Sequence, residues 1–169
     1  MRTALALAVL CITSLVGCTG DGAGSGSLRP LTVQIQLSQT SVAAGHPIHG
    51  FAVVTNRNPH KLVIGTCNHV WLQVGLVNQK VSFEPVWDLC ADIGGTAVQQ
   101  GTTQMPITIQ TTYERCTPHA RSITRQLPGC VHGRMPALPP GTYKTKPAAL
   151  SPEGVRVITS PPIKVTLTA

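Results

Sequence analysis

Residues Leu31-Thr32-Val33-Gln34-Ile35-Gln36-Leu37 alternate apolar and polar without a fault. A period of two is the pattern of a half-buried strand. It turns Leu31, Val33, Ile35 and Leu37 to a core and Thr32, Gln34 and Gln36 to water. Gly45-His46-Pro47 separates this strand from a second, Ile48 to Thr55, and Asn56-Arg57-Asn58-Pro59 reads as a turn. Lys61 to Ile64 and Val70 to Val77 predict two more strands. In the latter, Val70, Leu72, Val74 and Leu76 form the apolar face and Trp71 lies on the other. Val81 to Phe83 predicts a short piece that Pro85 ends or marks as an edge. Thr96 to Gln99, Pro106 to Tyr113, Gly141 to Thr145 and Pro162 to Thr168 complete the series, the last with Ile163, Val165 and Leu167 inward. Glu114 to Pro140 shows no clear period. Nothing sustains a 3.6-residue period over three turns. The pattern therefore predicts an all-β chain, a β-sandwich of about seven to nine antiparallel strands. Register is demanding in such a fold, because a one-residue slip turns the whole Leu31 to Leu37 apolar set to water.

Before the first strand the pattern changes. Met1-Arg2 is positive, and Thr3 to Leu15 is apolar but short of the about 20 residues a membrane span needs. This is the form of a signal peptide, residues 1–17, removed from the mature chain. Leu15-Val16-Gly17-Cys18 then resembles the lipobox of bacterial lipoproteins. The resemblance implies diacylation (palmitate or a similar chain) of the Cys18 sulfur and cleavage before it. Two acyl chains anchor stably where one is marginal. Residues 18–29, with Gly20, Gly22, Gly24 and Gly26 among small polar residues, form a flexible tether. The expected location is the outer face of a bacterial cell membrane, with residues 30–169 as the domain it carries.

That domain resembles bacterial Ig-like modules. The opening strand, the Ser38 to Gly45 segment after it, the Asn56 turn, Pro140-Gly141-Thr142-Tyr143, and Pro161-Pro162-Ile163 before the last strand carry the resemblance. It implies an Ig-like β-sandwich and no particular activity, because such sandwiches host unrelated functions. The Cys–Trp–Cys arrangement of antibody domains is not clearly present.

About 150 residues remain after the leader, enough for one domain with its own core. Charge is sparse at 11%, against roughly 25% in an average domain. Without Arg2, twelve Lys and Arg stand against six Asp and Glu. In an exported protein that excess favours an anionic envelope component or acidic protein as partner. Nucleic acid is not expected, since no basic stripe is interleaved with aromatics.

Cys11 lies in the leader and Cys18 is the anchor, leaving Cys67, Cys90, Cys116 and Cys130. An even number in an exported domain predicts disulfides, and four Cys allow three connectivities. Pairs Cys67–Cys90 and Cys116–Cys130 are favoured because each brackets its own segment. The second would close a ring of about 15 residues, stabilising by roughly 3 kcal/mol in the chain-entropy view. The surrounding stretch carries Arg115, Arg121, Arg125 and Arg134, with His119 and His132, and is the candidate binding loop, since Arg forks grip carboxylate and phosphate. Its cysteines also suggest an alternative. Cys116-Thr117-Pro118-His119 resembles the Cys-x-x-His loop of small blue-copper proteins, which implies a copper or zinc site with His69 or His46 upstream. No Met follows at the expected distance, because Met135 lies well beyond. His46 and His49 point to opposite faces of a strand and read as surface residues. No nucleophile elbow, His-Glu-x-x-His or phosphate loop is present, so no cofactor and no catalytic role is expected. Trp71 and Trp87 read as packing residues rather than a sugar-stacking platform.

The anchor yields the first prediction. Cys18→Ala abolishes palmitate incorporation in metabolic labelling and leaves the leader uncleaved, read as a heavier band on a denaturing gel.

Overall fold

The computed structural model describes residues 28–66, 69–87, 94–117 and 128–169. Cys18, the leader, Cys67, Cys90, His119, Arg121 and Arg125 lie outside them, and so does the expected Cys67–Cys90 pair. The described residues form ten strands and no helix. These are β1 (Leu31–Leu37), β2 (Ser41–Ala43), β3 (Ile48–Asn56), β4 (Leu62–Thr66), β5 (Leu72–Val77), β6 (Gly94–Val98), β7 (Gly101–Ile109), β8 (Gly141–Ala149), β9 (Val157–Thr159) and β10 (Lys164–Thr168). One sheet runs β7-β3-β1-β9, a second runs β2-β10-β8-β5, and β4 pairs with β6 apart from both.

The core is built by alternation. Val33, Ile35, Ala52, Val54 and Ile109 from the first sheet are buried, as are Val74, Leu76, Tyr143, Val165 and Leu167 from the second. β1 and β2 are consecutive yet join different sheets, so residues 38–40 carry the chain from one layer to the other. The expectation of purely antiparallel pairing is corrected at two places. β9 pairs with β1 and β2 with β10 in parallel, both through three-residue strands at a sheet edge. Short edge strands add ladder bonds without needing the long crossover that joins sequential parallel strands.

Three local expectations also change. Val70 precedes β5 and is 48% exposed, while Trp71 is fully buried. The apolar face of this segment is therefore Leu72, Val74 and Leu76, and Trp71 packs into the interior before the alternation begins. Val81 to Phe83 forms no strand. Instead residues 81–86 lie across β5: Gln73 and Val86 exchange two side-chain-to-backbone hydrogen bonds, and the Phe83 ring sits over Gly75. A Cβ at Gly75 would fall 2.0 Å from that ring, so only glycine admits the strap.

The Asn56 cluster is no chain reversal. The β3–β7 ladder ends at Asn56↔Gly101, and the β4–β6 ladder resumes the same antiparallel course at Leu62↔Val98. Residues 57–61 face only Gln99 and Gln100, so the ribbon bulges and re-aims there. Asn56 is 1% exposed and Asn58 2%. The Asn56 amide donates to Val98 O and His60 O at 3.0 Å each, and its oxygen accepts from Asn58 N. Asn58 in turn makes a reciprocal pair with the Arg29 backbone, at 2.7 and 2.9 Å. Side-chain amides thus replace the ladder bonds that the bulge interrupts, and they grip the chain just before β1.

Asn56→Ala leaves those buried partners unsatisfied. It should cost about 2 to 3 kcal/mol, read as a lower urea midpoint with unchanged slope.

Candidate functional site

The second sheet sorts its side chains by sign. Tyr143, Thr145, Val165 and Leu167 point inward and are buried. Lys144, Lys146 and Lys164, on the alternate positions of β8 and β10, are exposed. Lys164 pairs directly with Lys144 across the ladder. Cβ atoms so placed are about 5 Å apart, and like charges there are destabilising. The four strands of this sheet contain no Asp or Glu to offset them.

At the end of β5 the lysine face meets a depression of about 760 Å³. Lys80, Lys144, Asn78 and Thr142 supply polar groups, and Val81, Tyr113 and Pro139 supply apolar walls. Its floor is rigid for a local reason. Asn78 Oδ1 accepts from Lys80 N and Val81 N at 2.8 Å each, fixing the turn that carries Lys80. Tyr143 OH donates to Pro139 O at 2.7 Å, pinning the entry to β8. Burial lifts the Tyr143 phenol above its usual range, and neighbouring Tyr113 adds to this; a hydrogen bond with Asn78 opposes it. The hydroxyl therefore stays a neutral donor at physiological pH.

Acids gather on the far side of Lys146. Glu84 N donates to Glu114 Oε2 at 3.4 Å. Desolvation raises the Glu114 carboxyl above its ordinary range, against the Glu84 amide, Arg115 and Lys146, which all favour its charge; the Glu84 charge adds to the rise. Lys146 also donates to Phe83 O at 3.4 Å, so it ties the strap to the sheet.

The expected Arg loop is only partly described. Cys116 and Cys130 form a disulfide with Cα atoms 5.0 Å apart, as favoured from the sequence. The stretch after β7 is not a plain loop, because its two described arms zip together. Leu138 N donates to Thr111 O, Tyr113 N to Pro136 O, and Cys130 N to Thr117 O. Val131 and Arg134 exchange both backbone bonds around His132-Gly133, each at positive φ, a tight hairpin turn. Arg115 and Arg134 are exposed and border one depression with Met135 and Glu114. In the disulfide the Cys116 sulfur is bonded to Cys130 and offers no thiolate to copper or zinc, while His119 lies outside the described residues. Among the described residues, no three His, Cys, Asp or Glu side chains gather as a metal cluster, and His46, His49 and His69 are all exposed.

Sequence reasoning passed over the lysine face. Lys144, Lys146 and Lys164 lie on strands whose partners only the register reveals. The one available signal was their spacing: Lys144 and Lys146 are two apart, hence on one side of a strand.

No family model and no curated protein matches the chain. Among solved structures, a β-glucosidase from Listeria innocua in complex with gluconolactone is similar at 15% identity and a TM-score of 0.40. The match covers 81% of this chain but 16% of that one. At that score it transfers neither topology nor activity.

The Glu114 shift has a definite sign. The folded chain keeps a proton that the unfolded chain releases, so this contribution is present below the unfolded pKa and is lost as pH rises through the folded value. The side chain is exposed, so the effect is screened. Denaturation midpoints should show wild type losing ground to Glu114→Gln as pH rises through the carboxylate range.

Proposed function

We propose that the chain is a cell-envelope lipoprotein whose Ig-like sandwich holds an anionic envelope component against the lysine face of its second sheet. The observation that carries this reading is the cross-strand pair Lys144–Lys164, with Lys146 beside it and Lys80 at the adjoining depression. Opposed lysines cost folding stability. An anionic surface laid over them removes that cost and turns it into binding free energy. Among the described residues Lys80, Lys144 and Lys164 have no acid partner, while Lys146 is tied to Phe83 O and Asn78 and Tyr143 are already bonded, which suits holding an anion rather than transferring a proton.

Topology supports the Ig-like part. β3 lies between β1 and β7 as strand B lies between A and E, and β5-β8-β10 follow the C-F-G order. Tyr143 bonds back to Pro139 near the start of the strand in the F position, the tyrosine-corner arrangement. The lipobox resemblance at Cys18 supports the address. A tether of residues 18–29 has a root-mean-square reach of about 20 Å. That keeps the domain close to the membrane carrying it, within reach of phosphate-bearing headgroups. On this reading the cationic contact is the β8–β10 face rather than the Arg115 to Arg134 loop.

Vesicle sedimentation tests the reading. Residues 19–169, produced without leader or acyl chains, should bind phosphatidylcholine vesicles only when they contain phosphatidylglycerol, and less as salt rises. Each lysine near an anionic surface is worth about 1 kcal/mol, so Lys144→Gln with Lys164→Gln should weaken binding about thirtyfold. Equal binding by variant and parent would remove the lysine face as the contact.

A further inference from the structure

The first sheet is the opposite case. β1, β3, β7 and β9 contain no Asp, Glu, Lys or Arg at all. Its inward positions fill the core, and its outward positions display mainly glutamine and threonine, with His49, Phe51, Val53, Pro106 and the 40% exposed Ile158 among them. Phe51 is 49% exposed. All six Trp, Tyr and Phe residues are described, and the other five are buried or half-buried. Phe51 stands mid-sheet, with Gln36 paired on one side and Pro106 on the other. The next outward row is Gln34, Val53 and Gln104. On the other side His49 and Thr108 pair, with Nδ1 and Oγ1 3.3 Å apart.

We propose that this face binds a neutral, hydroxyl-rich polymer, an uncharged glycan chain laid across Phe51. Three occupants can be weighed by chemistry. A charged partner would shed hydration against a face with no counter-charge. A second copy would need roughly 800 Å² per partner with a largely apolar centre. Here the apolar outward side chains are few, and the glutamines and threonines between them would be stripped of water and left unpaired. A glycan reverses that balance. Glutamine amides both donate and accept, so they can exchange water for sugar hydroxyls. The negative face of the Phe51 ring attracts the partly positive C–H face of a sugar. Outward residues repeat about every 7 Å along a strand, which suits an extended chain over a compact ligand. This face is separate from the lysine face, so either can fail without the other.

Affinity electrophoresis of the purified chain decides it, with hydroxyethylcellulose, a soluble β-1,3-glucan and a galactomannan cast in the gels. At least one should retard the chain, equally at low and high salt. Phe51→Ala should weaken that retardation about fivefold, with an unchanged circular-dichroism spectrum, and Lys144→Gln with Lys164→Gln should leave it intact. The proposal is overturned if none of the three retards the chain, if salt abolishes the effect, or if Phe51→Ala retains full affinity. It is overturned equally if sedimentation shows a dimer that Phe51→Ala dissolves, for then the occupant is a second copy.

Discussion

Side chains of a strand alternate, so burying Val33 and Ile35 commits Gln34 and Gln36 to the opposite side. The same holds for every long strand of both sheets. One interior, shared by two layers, therefore generates two outward faces whose composition the core does not dictate. In this protein the faces differ sharply. The β7-β3-β1-β9 sheet carries no formal charge, and the β2-β10-β8-β5 sheet carries three lysines and no acid. Folding alone would be served by mixed charges on both.

Where the alternation breaks, polar groups take over. Residues 57–61 interrupt a ribbon that otherwise runs from β3 and β7 into β4 and β6, and Asn56 and Asn58 supply the missing bonds. Two buried amides accomplish this because each both donates and accepts. The same node holds the Arg29 backbone, so the chain enters the sandwich at a fixed point. On the other sheet, Asn78 and Tyr143 do comparable work around the depression beside Lys80 and Lys144. Among the described residues, the buried Trp71 Nε1 and Thr66 Oγ1 find no hydrogen-bond partner.

Much of the architecture was legible in the residue pattern. β1 begins and ends where strict alternation does, and β3 and β10 fall within two residues of expectation. These strands each bury one face, so burial is written directly into residue type. Failures came where another force outweighed the local period. Val70 to Val77 looked regular, but Trp71 offers more apolar area than Val70 and took the interior place. Val81 to Phe83 looked like a strand, but the bare Gly75 surface let Phe83 fold over β5 instead. β2 and β9 are three residues long, too short for any period, and exist because an edge was open to pair with.

The sequence by itself determined an all-strand chain, the inward residues of its long strands and an overall cationic balance, and it favoured a Cys116–Cys130 staple among three possible connectivities. Each of these follows from local periodicity, composition or spacing. Only the tertiary structure decided that Lys144 and Lys164 stand opposite one another and that Phe51 lies between Gln36 and Pro106. Those neighbours are 15 to 55 residues apart along the chain, and no local rule couples them. Their meeting is set by hydrogen-bond register, which exists only once the sheets have formed.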